Sequence, residues 1–245
     1  MGRRVIFLKN YWRYIKSIFL NIEAKMSINL KRPVGVLFDW DNTLVDTWPV
    51  IHDAMNFTLK KMGYPLWSLE DSKNNVRLSL RESFPGLFGD KWKTARDIFY
   101  MRFKKIHLKR LEVLPGAEKL LISMKKKGVY LGVVSNKSGE NLRREANHLG
   151  WSQYFGKIIG AMDAEEDKPS IKPVQLAVKG SGIDLGQRVW FVGDTKIDME
   201  CAYNSGCFPI LINKNAPLVE EFGQCMPKIH LMNCDKLKNF FNELR

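Results

Sequence analysis

Residues 34–47, with the sequence VGVLFDWDNTLVDT, predict a buried β-strand that ends at two aspartates. The apolar run through Phe38 favours a strand and stops abruptly at Asp39, and Asp41 follows two residues later. Two carboxylates at one strand end cost roughly several kcal/mol each unless a cation or hydrogen-bond donors compensate for the lost water. The same residues also suit an ordinary turn, because Asp, Asn and Thr are common turn residues. Three further stretches of similar build favour a functional site over a turn.

The composition is that of a globular protein with a large positive charge. The chain has 245 residues and a formal net charge of +13, which suits one large domain or a core with an insert. Much of this charge precedes Pro33, so a nucleic-acid partner is not required, although the field would attract a phosphorylated small molecule. The spacing of the four cysteines indicates neither a metal site nor disulfides, which favours a reducing cytoplasm as the location of the protein. The cysteines are Cys201, Cys207, Cys225 and Cys234.

Residues 1–32 differ from the rest of the chain. Large apolar residues recur at helical spacing while Lys9, Arg13 and Lys16 fall on the other face. Residues 1–25 therefore predict a basic amphipathic helix suited to peripheral contact with an anionic membrane, and the charges interrupt it too often for a transmembrane span. A helix packed on the main domain, or translation that starts at Met26, would explain the same pattern.

The remaining residues predict an α/β fold, a doubly wound parallel sheet with an inserted all-helical cap domain. Residues 33–46 and 113–245 form the predicted core, in which apolar strands, including ones at 157–161 and 188–192, alternate with helices. Residues 47–112 form the predicted cap, and no convincing strand is expected between residues 47 and 114. Its helices are expected at 48–62, 71–83 and 92–111, and Pro85-Gly86 is expected to end the second.

Polar residues follow four of the predicted strands. In chain order they are Asp39 with Asp41, Ser135 with Asn136, Lys168, and Asp194 with Asp198. Because the carboxyl ends of parallel strands meet at one edge of a sheet, we expect these side chains to lie close together. Each has a structural alternative: Ser135 could cap a helix, Lys168 could be solvated, and Asp198 could be an acid in the first turn of a helix, where the helix dipole favours negative charge. Their occurrence at four strand ends favours one site.

The residue types predict phosphoryl-transfer chemistry. Carboxylates without a basic cluster between them suit a hard cation such as Mg²⁺, which would bind among Asp39, Asp41 and Asp194. Asp39 is a candidate nucleophile that would form an aspartyl-phosphate, and Asp41 could protonate the leaving alkoxide and later activate water. The phosphoryl oxygens would be held by Ser135, Asn136 and Lys168.

These motifs resemble the haloacid dehalogenase superfamily of phosphohydrolases. The resemblance covers nearly everything from Pro33 onward and rests on Asp39-Trp40-Asp41-Asn42-Thr43, Ser135, Lys168-Pro169, and Gly193-Asp194 with Asp198. It implies that Asp39 is the nucleophile and Asp41 the general acid and base. It also implies that Mg²⁺ is held by Asp39, the Asp41 carbonyl and Asp194, with support from Asp198 and Thr43.

Two positions depart from the superfamily pattern. Asn42 stands where many relatives have Gly, so the turn must accept a side chain. Ile171 stands where the pattern has a second proline, which leaves Lys172 as a rival for the role of Lys168. We expect Lys168 to have that role because Pro169 follows it in register.

The resemblance also implies a substrate class. The cap looks like that of the phosphoglycolate phosphatase-like branch, which implies a small phosphorylated metabolite and a phosphatase reaction. Asp41 argues against carbon–halogen and phosphonate cleavage, whereas a sugar phosphomutase is the alternative and a non-catalytic binding protein is less favoured. Arg77 and Arg81, one helical turn apart, are either substrate contacts in the cap or part of a solvated face. The sequence indicates no oligomeric state.

Overall fold

The structure, a computed structural model, describes residues 30–76 and 80–244, without the side chains of residues 81 and 82. The predicted N-terminal helix, Arg77 and the side chain of Arg81 therefore lie outside the described residues. Within those residues, no helix has both the length and the apolar character needed to cross a membrane.

In the described part of the chain, eight strands form two sheets. The strands are β1 (Gly35–Phe38), β2 (Val45–Asp46), β3 (Glu112–Val113), β4 (Tyr130–Ser138), β5 (Lys157–Ala161), β6 (Val189–Gly193), β7 (Phe208–Ile212) and β8 (Ile229–Leu231). Six of them make one sheet in the order β5-β4-β1-β6-β7-β8, and every neighbouring pair is parallel. The predicted parallel α/β sheet is therefore confirmed, with β1 at its centre.

Ten α-helices accompany these strands in the described residues. They are α1 (Trp48–Met62), α2 (Leu69–Asn75), α3 (Leu80–Phe88), α4 (Trp92–Ile106), α5 (Ala117–Lys126), α6 (Gly139–His148), α7 (Lys172–Val178), α8 (Lys196–Asn204), α9 (Val219–Phe222) and α10 (Cys234–Glu243). Short 3₁₀ turns lie at Gly89–Lys91, Leu108–Arg110, Trp151–Tyr154 and Gly223–Cys225.

Both faces of the large sheet are covered. Phe38 and Trp190 belong to an apolar cluster with α5, α6 and α10, while Leu37 and Phe191 belong to a second cluster with α7 and α8. Successive residues of a strand point to opposite faces, so a strand buried on both faces needs an apolar residue at every position. The continuous apolar runs of β1 and β6 meet this need, which is why the sequence predicted them well.

Helices α1, α3 and α4 form a separate apolar cluster of their own. Its buried members include Met55, Phe84, Phe88 and Phe99. The predicted single helix over 71–83 is wrong, because α2 ends at Asn75 and α3 begins at Leu80 and continues through Pro85 to Phe88. Pro85 disfavours a helix at this position, but burial of Phe84 and Phe88 on either side of it favours the helical conformation of α3. The centroids of the two phenylalanine rings lie 5.0 Å apart.

A two-stranded antiparallel ribbon joins the insert to the core. Val45 pairs with Val113 and Asp46 pairs with Glu112, so the chain leaves and re-enters the core at adjacent positions. The expectation of no strand between residues 47 and 114 is therefore wrong at β3. Strands of two residues carry no alternating pattern, and their pairing depends on residues far away in the sequence.

Candidate active site

The polar residues predicted at four strand ends meet at one edge of the sheet. Phe38 at the end of β1 is level with Val133 in β4 and Val192 in β6. Asp39 therefore emerges beside the ends of both neighbouring strands. A single cavity of about 1140 Å³ at this edge is lined by all seven of the predicted core residues, namely Asp39, Asp41, Ser135, Asn136, Lys168, Asp194 and Asp198.

Lys168 lies between two carboxylates and is almost fully buried. Its Nζ is 2.6 Å from Asp39 Oδ1 and 2.7 Å from Asp198 Oδ1. Burial alone would lower the pKa of Lys168, but the Asp198 and Asp39 carboxylates raise it, so the ammonium stays charged. Lys172, the rival lysine, instead pairs with Glu165 at 3.3 Å on the surface.

Three acids lie closer together than one ammonium can balance. Asp39, Asp194 and Asp198 each place a carboxylate oxygen within 4.8 Å of the others. Burial raises the pKa of Asp39 to about 7, with Lys168 opposing the rise and Asp198 adding to it. Burial, together with the Asp198 and Asp39 carboxylates, raises the pKa of Asp194 well above its usual value. This excess of buried negative charge fits a divalent cation with oxygen ligands.

The loop after β6 fixes Asp194 and Asp198. Asp198 Oδ2 accepts hydrogen bonds from the N–H groups of Asp194 and Thr195 and from the Thr195 hydroxyl, at 3.2, 3.0 and 2.7 Å. Gly193 allows this close approach, because a Cβ at that position would lie 2.3 Å from Asp198 Cβ. Asp198 therefore caps the N-terminus of α8 together with Thr195, and it also contacts Lys168.

The turn after β1 brings two further polar groups to the acids. The Thr43 hydroxyl lies 3.2 Å from Asp39 Oδ2 and 3.5 Å from Asp194 Oδ1, and its supporting role toward a metal stays a prediction. Asn42 has a φ of 60°, a left-handed conformation that Asn adopts more readily than most residues. The turn thus accepts the side chain of Asn42, as the sequence requires.

Ser135 and Asn136 lie within β4, which continues to Ser138, so neither is the N-cap of α6. Ser135 is buried, and its hydroxyl accepts a hydrogen bond from the Lys137 N–H at 3.2 Å. The Asn136 amide, predicted to contact phosphate, instead bonds to the main chain of Lys168: its Nδ2 donates to the carbonyl at 3.0 Å, and its Oδ1 accepts from the N–H at 2.9 Å. Asn136 therefore ties the end of β4 to the loop that follows β5.

Asp41 faces a second buried network that the sequence did not reveal. Its Oδ1 lies 2.6 Å from Lys137 Nζ, which lies 2.8 Å from Glu145 Oε2. Glu145 also accepts a hydrogen bond from Trp40 Nε1 and contacts His107 Nδ1, each at 2.8 Å. Lys137 directly follows Ser135-Asn136, but no sequence pattern pairs it with a glutamate in α6 or a histidine after α4.

The insert closes one side of the cavity with aromatic and apolar residues. The insert residues that line it include Trp48, Ile51, Phe99, Tyr100 and Phe103, and the polar residues Glu70, Lys73 and Asn74 line it as well. The insert thus presents a mostly apolar wall to the cavity that the acids line. The predicted substrate contact by Arg81 stays a prediction.

The fold and the acidic edge define a class of α/β proteins that place divalent-cation ligands at strand ends. Residues 36–212 match the family model described as haloacid dehalogenase-like hydrolase, and the chain belongs to this family. The expected superfamily is thereby confirmed.

Individual relatives agree with this assignment. The chain is 28% identical to the phosphoglycolate phosphatase of Chromobacterium violaceum over 76% of this chain and 87% of the relative. It is 30% identical to that of Aquifex aeolicus over 70% of this chain and 80% of the relative. The crystal structure of a HAD-superfamily hydrolase from Ehrlichia chaffeensis has a TM-score of 0.61 and 29% identity, covering 88% of this chain and 98% of that one.

Proposed function

We propose that the protein is a magnesium-dependent phosphatase that hydrolyses a small phosphomonoester through an aspartyl-phosphate. The observation that carries the proposal is Asp39, an acid at the end of the central strand with Lys168 and two further acids around it. The relatives described as phosphoglycolate phosphatases support the substrate class. The free cysteines are compatible with the cytoplasm as its location.

The reaction has two steps in this proposal. An Asp39 carboxylate oxygen attacks phosphorus while the bond to the leaving oxygen breaks, and Asp41 gives that oxygen a proton. Asp41 then takes a proton from water, the water oxygen attacks phosphorus, and the bond to Asp39 breaks. Lys168 neutralises charge on the phosphoryl oxygens, and Ser135 is placed to donate a hydrogen bond to one of them.

The proposed metal ligands are Asp39, Asp194 and the main-chain carbonyl of Asp41. Asp198 supports the site through Lys168 and the loop after β6. A bound Mg²⁺ would supply charge neutralisation for the phosphoryl group. The carboxylates fit this ion because, among the described residues, Lys168 is the cation that offsets their mutual repulsion.

The proposed cap comprises residues 47–112, and the proposed core comprises residues 33–46 and 113–245. The cap wall would exclude water from the strand ends and select the leaving group. A small acid such as 2-phosphoglycolate is the first substrate we propose, with sugar and nucleotide phosphates as further candidates within the class.

A substrate panel tests the proposal directly. With Mg²⁺, the full chain should release inorganic phosphate from at least one small phosphomonoester, and addition of EDTA should stop the release. The panel includes 2-phosphoglycolate, hexose phosphates, nucleoside monophosphates and inorganic pyrophosphate. Isomerisation of a hexose phosphate without release of phosphate would instead establish a mutase, and absence of any turnover across the panel would contradict the proposal.

A further inference from the structure

The network beyond Asp41 links the reacting edge to the insert. Lys137 lies at the end of β4, Glu145 in α6 and His107 just after α4, so three separate elements meet around one ammonium group. The side chains of Glu145 and His107 are fully buried, and that of Lys137 is 6% exposed. A network of buried charges with this geometry is costly unless its positions are fixed.

The charges of this network are set by its own members. Burial alone would lower the pKa of Lys137, but the Asp41 and Glu145 carboxylates raise it. Burial alone would raise the pKa of Glu145, but Lys137 and the hydrogen bonds from His107 and Trp40 lower it. Lys137 is thus an ammonium and Glu145 a carboxylate, and Glu145 holds Lys137 in place from the side opposite Asp41.

We propose that Lys137 is a positioning residue that fixes the Asp41 carboxylate for proton transfer to the leaving group. The inference rests on the proposed function, in which Asp41 is the general acid. Lys137 occupies Oδ1 of Asp41 at 2.6 Å. The carboxylate then cannot rotate freely, and Oδ2 is the oxygen left to exchange a proton with the substrate.

The insert contributes to this arrangement through the end of α4. His107 contacts Glu145 at 2.8 Å, and the Phe103 ring lies 4.9 Å from the His107 ring. The same Phe103 ring lies 5.2 Å from Lys137 Nζ, within cation–π range. The position of Asp41 is therefore tied to the segment through which the insert returns to the core.

The test compares two leaving groups. Departure of an alkoxide from an alkyl phosphate needs a proton, whereas p-nitrophenolate leaves without one. Because kcat/KM reports steps up to the first irreversible one, a group that acts through Asp41 should affect the alkyl ester selectively. The alkyl substrate is 2-phosphoglycolate or the best alkyl monoester of the panel.

We expect Lys137→Met to lower kcat/KM for the alkyl ester by about 10- to 100-fold, through kcat, and for p-nitrophenyl phosphate by less than about threefold. Lys137→Arg, which keeps the charge, should recover most of the loss. The matched control is Lys104→Met, because Lys104 also meets an acid, Glu140 at 3.4 Å, but on the surface, and both activities should persist.

Three results would overturn the inference. Equal losses for the two esters would indicate a merely structural role, a raised KM for both would indicate direct phosphate binding, and no loss would remove Lys137 from the reaction. If Lys137→Met does not fold, as judged by circular dichroism, the isosteric Glu145→Gln variant makes the same comparison and should show a smaller selective loss.

Failure of the proposed function is distinguishable from failure of the inference. A wild-type protein that hydrolyses neither ester with Mg²⁺ would contradict the phosphatase proposal itself. If the wild type is active, Asp41→Asn should show the largest selective loss, about 10²- to 10⁴-fold for the alkyl ester. Selectivity in Asp41→Asn without any in Lys137→Met would reject only the role of Lys137.

Discussion

Two buried lysines flank the loop that carries Asp39 and Asp41, and their surroundings differ in charge. Lys168 lies among three carboxylates, those of Asp39, Asp194 and Asp198, two of which it contacts directly. Lys137 lies between the two carboxylates of Asp41 and Glu145, and a tryptophan and a histidine also bond to Glu145. The first group carries more uncompensated negative charge than the second.

This difference separates two tasks within one site. Around Lys168, the pKa values of Asp39 and Asp194 are raised, which indicates that a further cation is needed to stabilise the ionised carboxylates. Around Lys137, the pKa of Glu145 is lowered, so its charge is already well satisfied. The first cluster is suited to receive metal and phosphate, and the second is suited to hold a carboxylate still.

Removal of the nucleophile should have the largest effect. Asp39→Asn should lower kcat at least about a thousandfold, because the amide cannot form the aspartyl-phosphate. Its melting temperature at pH 8 should be equal to or above that of the wild type, since one unfavourable buried charge is gone. Turnover comes from the phosphate-release assay, and the exposed Asp184→Asn variant serves as the control. Unchanged turnover in Asp39→Asn would reject the assigned nucleophile.

Removal of Lys168 should have the next largest effect. Lys168→Met should lower kcat/KM about 10²- to 10³-fold for alkyl and nitrophenyl esters alike, because charge on the phosphoryl group is common to both. Breaking its buried pairs should also cost about 3 kcal/mol of unfolding free energy, measured by urea denaturation.

Lys172→Met is the matched control for this experiment. Lys172 pairs with Glu165 at the surface, and its side chain is 48% exposed, so its loss should leave activity unchanged. If Lys172→Met were the inactive variant, the lysine role would belong to Lys172. A loss in Lys168→Met confined to the alkyl ester would remove the contrast between the two lysine clusters.

The smallest expected effect is the dependence of metal stabilisation on pH. The pKa of Asp39 is about 7 in the folded chain and about 3.8 in the unfolded chain. Between pH 3.8 and 7, Asp39 is therefore mostly protonated in the folded chain and mostly ionised in the unfolded chain. Without metal, the contribution of Asp39 to stability is full below pH 3.8 and is lost as pH rises through about 7. A divalent cation should offset this loss, because it binds the deprotonated carboxylate.

Thermal melting with and without Mg²⁺ measures this dependence. Saturating Mg²⁺ should raise the melting temperature by about 5 °C at pH 8 and by clearly less at pH 5.5. NaCl at matched ionic strength is the control and should not reproduce the shift. An equal shift at both pH values would show that proton release from the acids does not accompany metal binding.

The sequence predicted the parts of the fold whose residues carry their own pattern. The strand predicted at 157–161 coincides with β5, and the one predicted at 188–192 differs from β6 by one residue at each end. The apolar runs of these two strands are long enough to favour the extended backbone conformation without help from distant residues. The ribbon of β2 and β3 and the passage of α3 through Pro85 could not be predicted, since both depend on contacts with distant residues.

The site shows the same division. Acids and a lysine after successive strands could be placed together because parallel strands share one edge. The Asp41–Lys137–Glu145 link could not be inferred, because an ordinary helical glutamate and a lysine at the end of a strand become partners only through the packing of α6 against β4. The substrate side is the least determined by sequence, since the wall combines residues from four helices and an intervening loop of the insert.

The pairing of Val45 with Val113 and of Asp46 with Glu112 has an evolutionary consequence. Because the insert leaves and re-enters the core at the paired strands β2 and β3, it can be lengthened, shortened or exchanged while the strand order of the core sheet stays the same. New substrate specificities could then arise by replacement of the insert alone, with the phosphoryl-transfer residues of the core inherited unchanged.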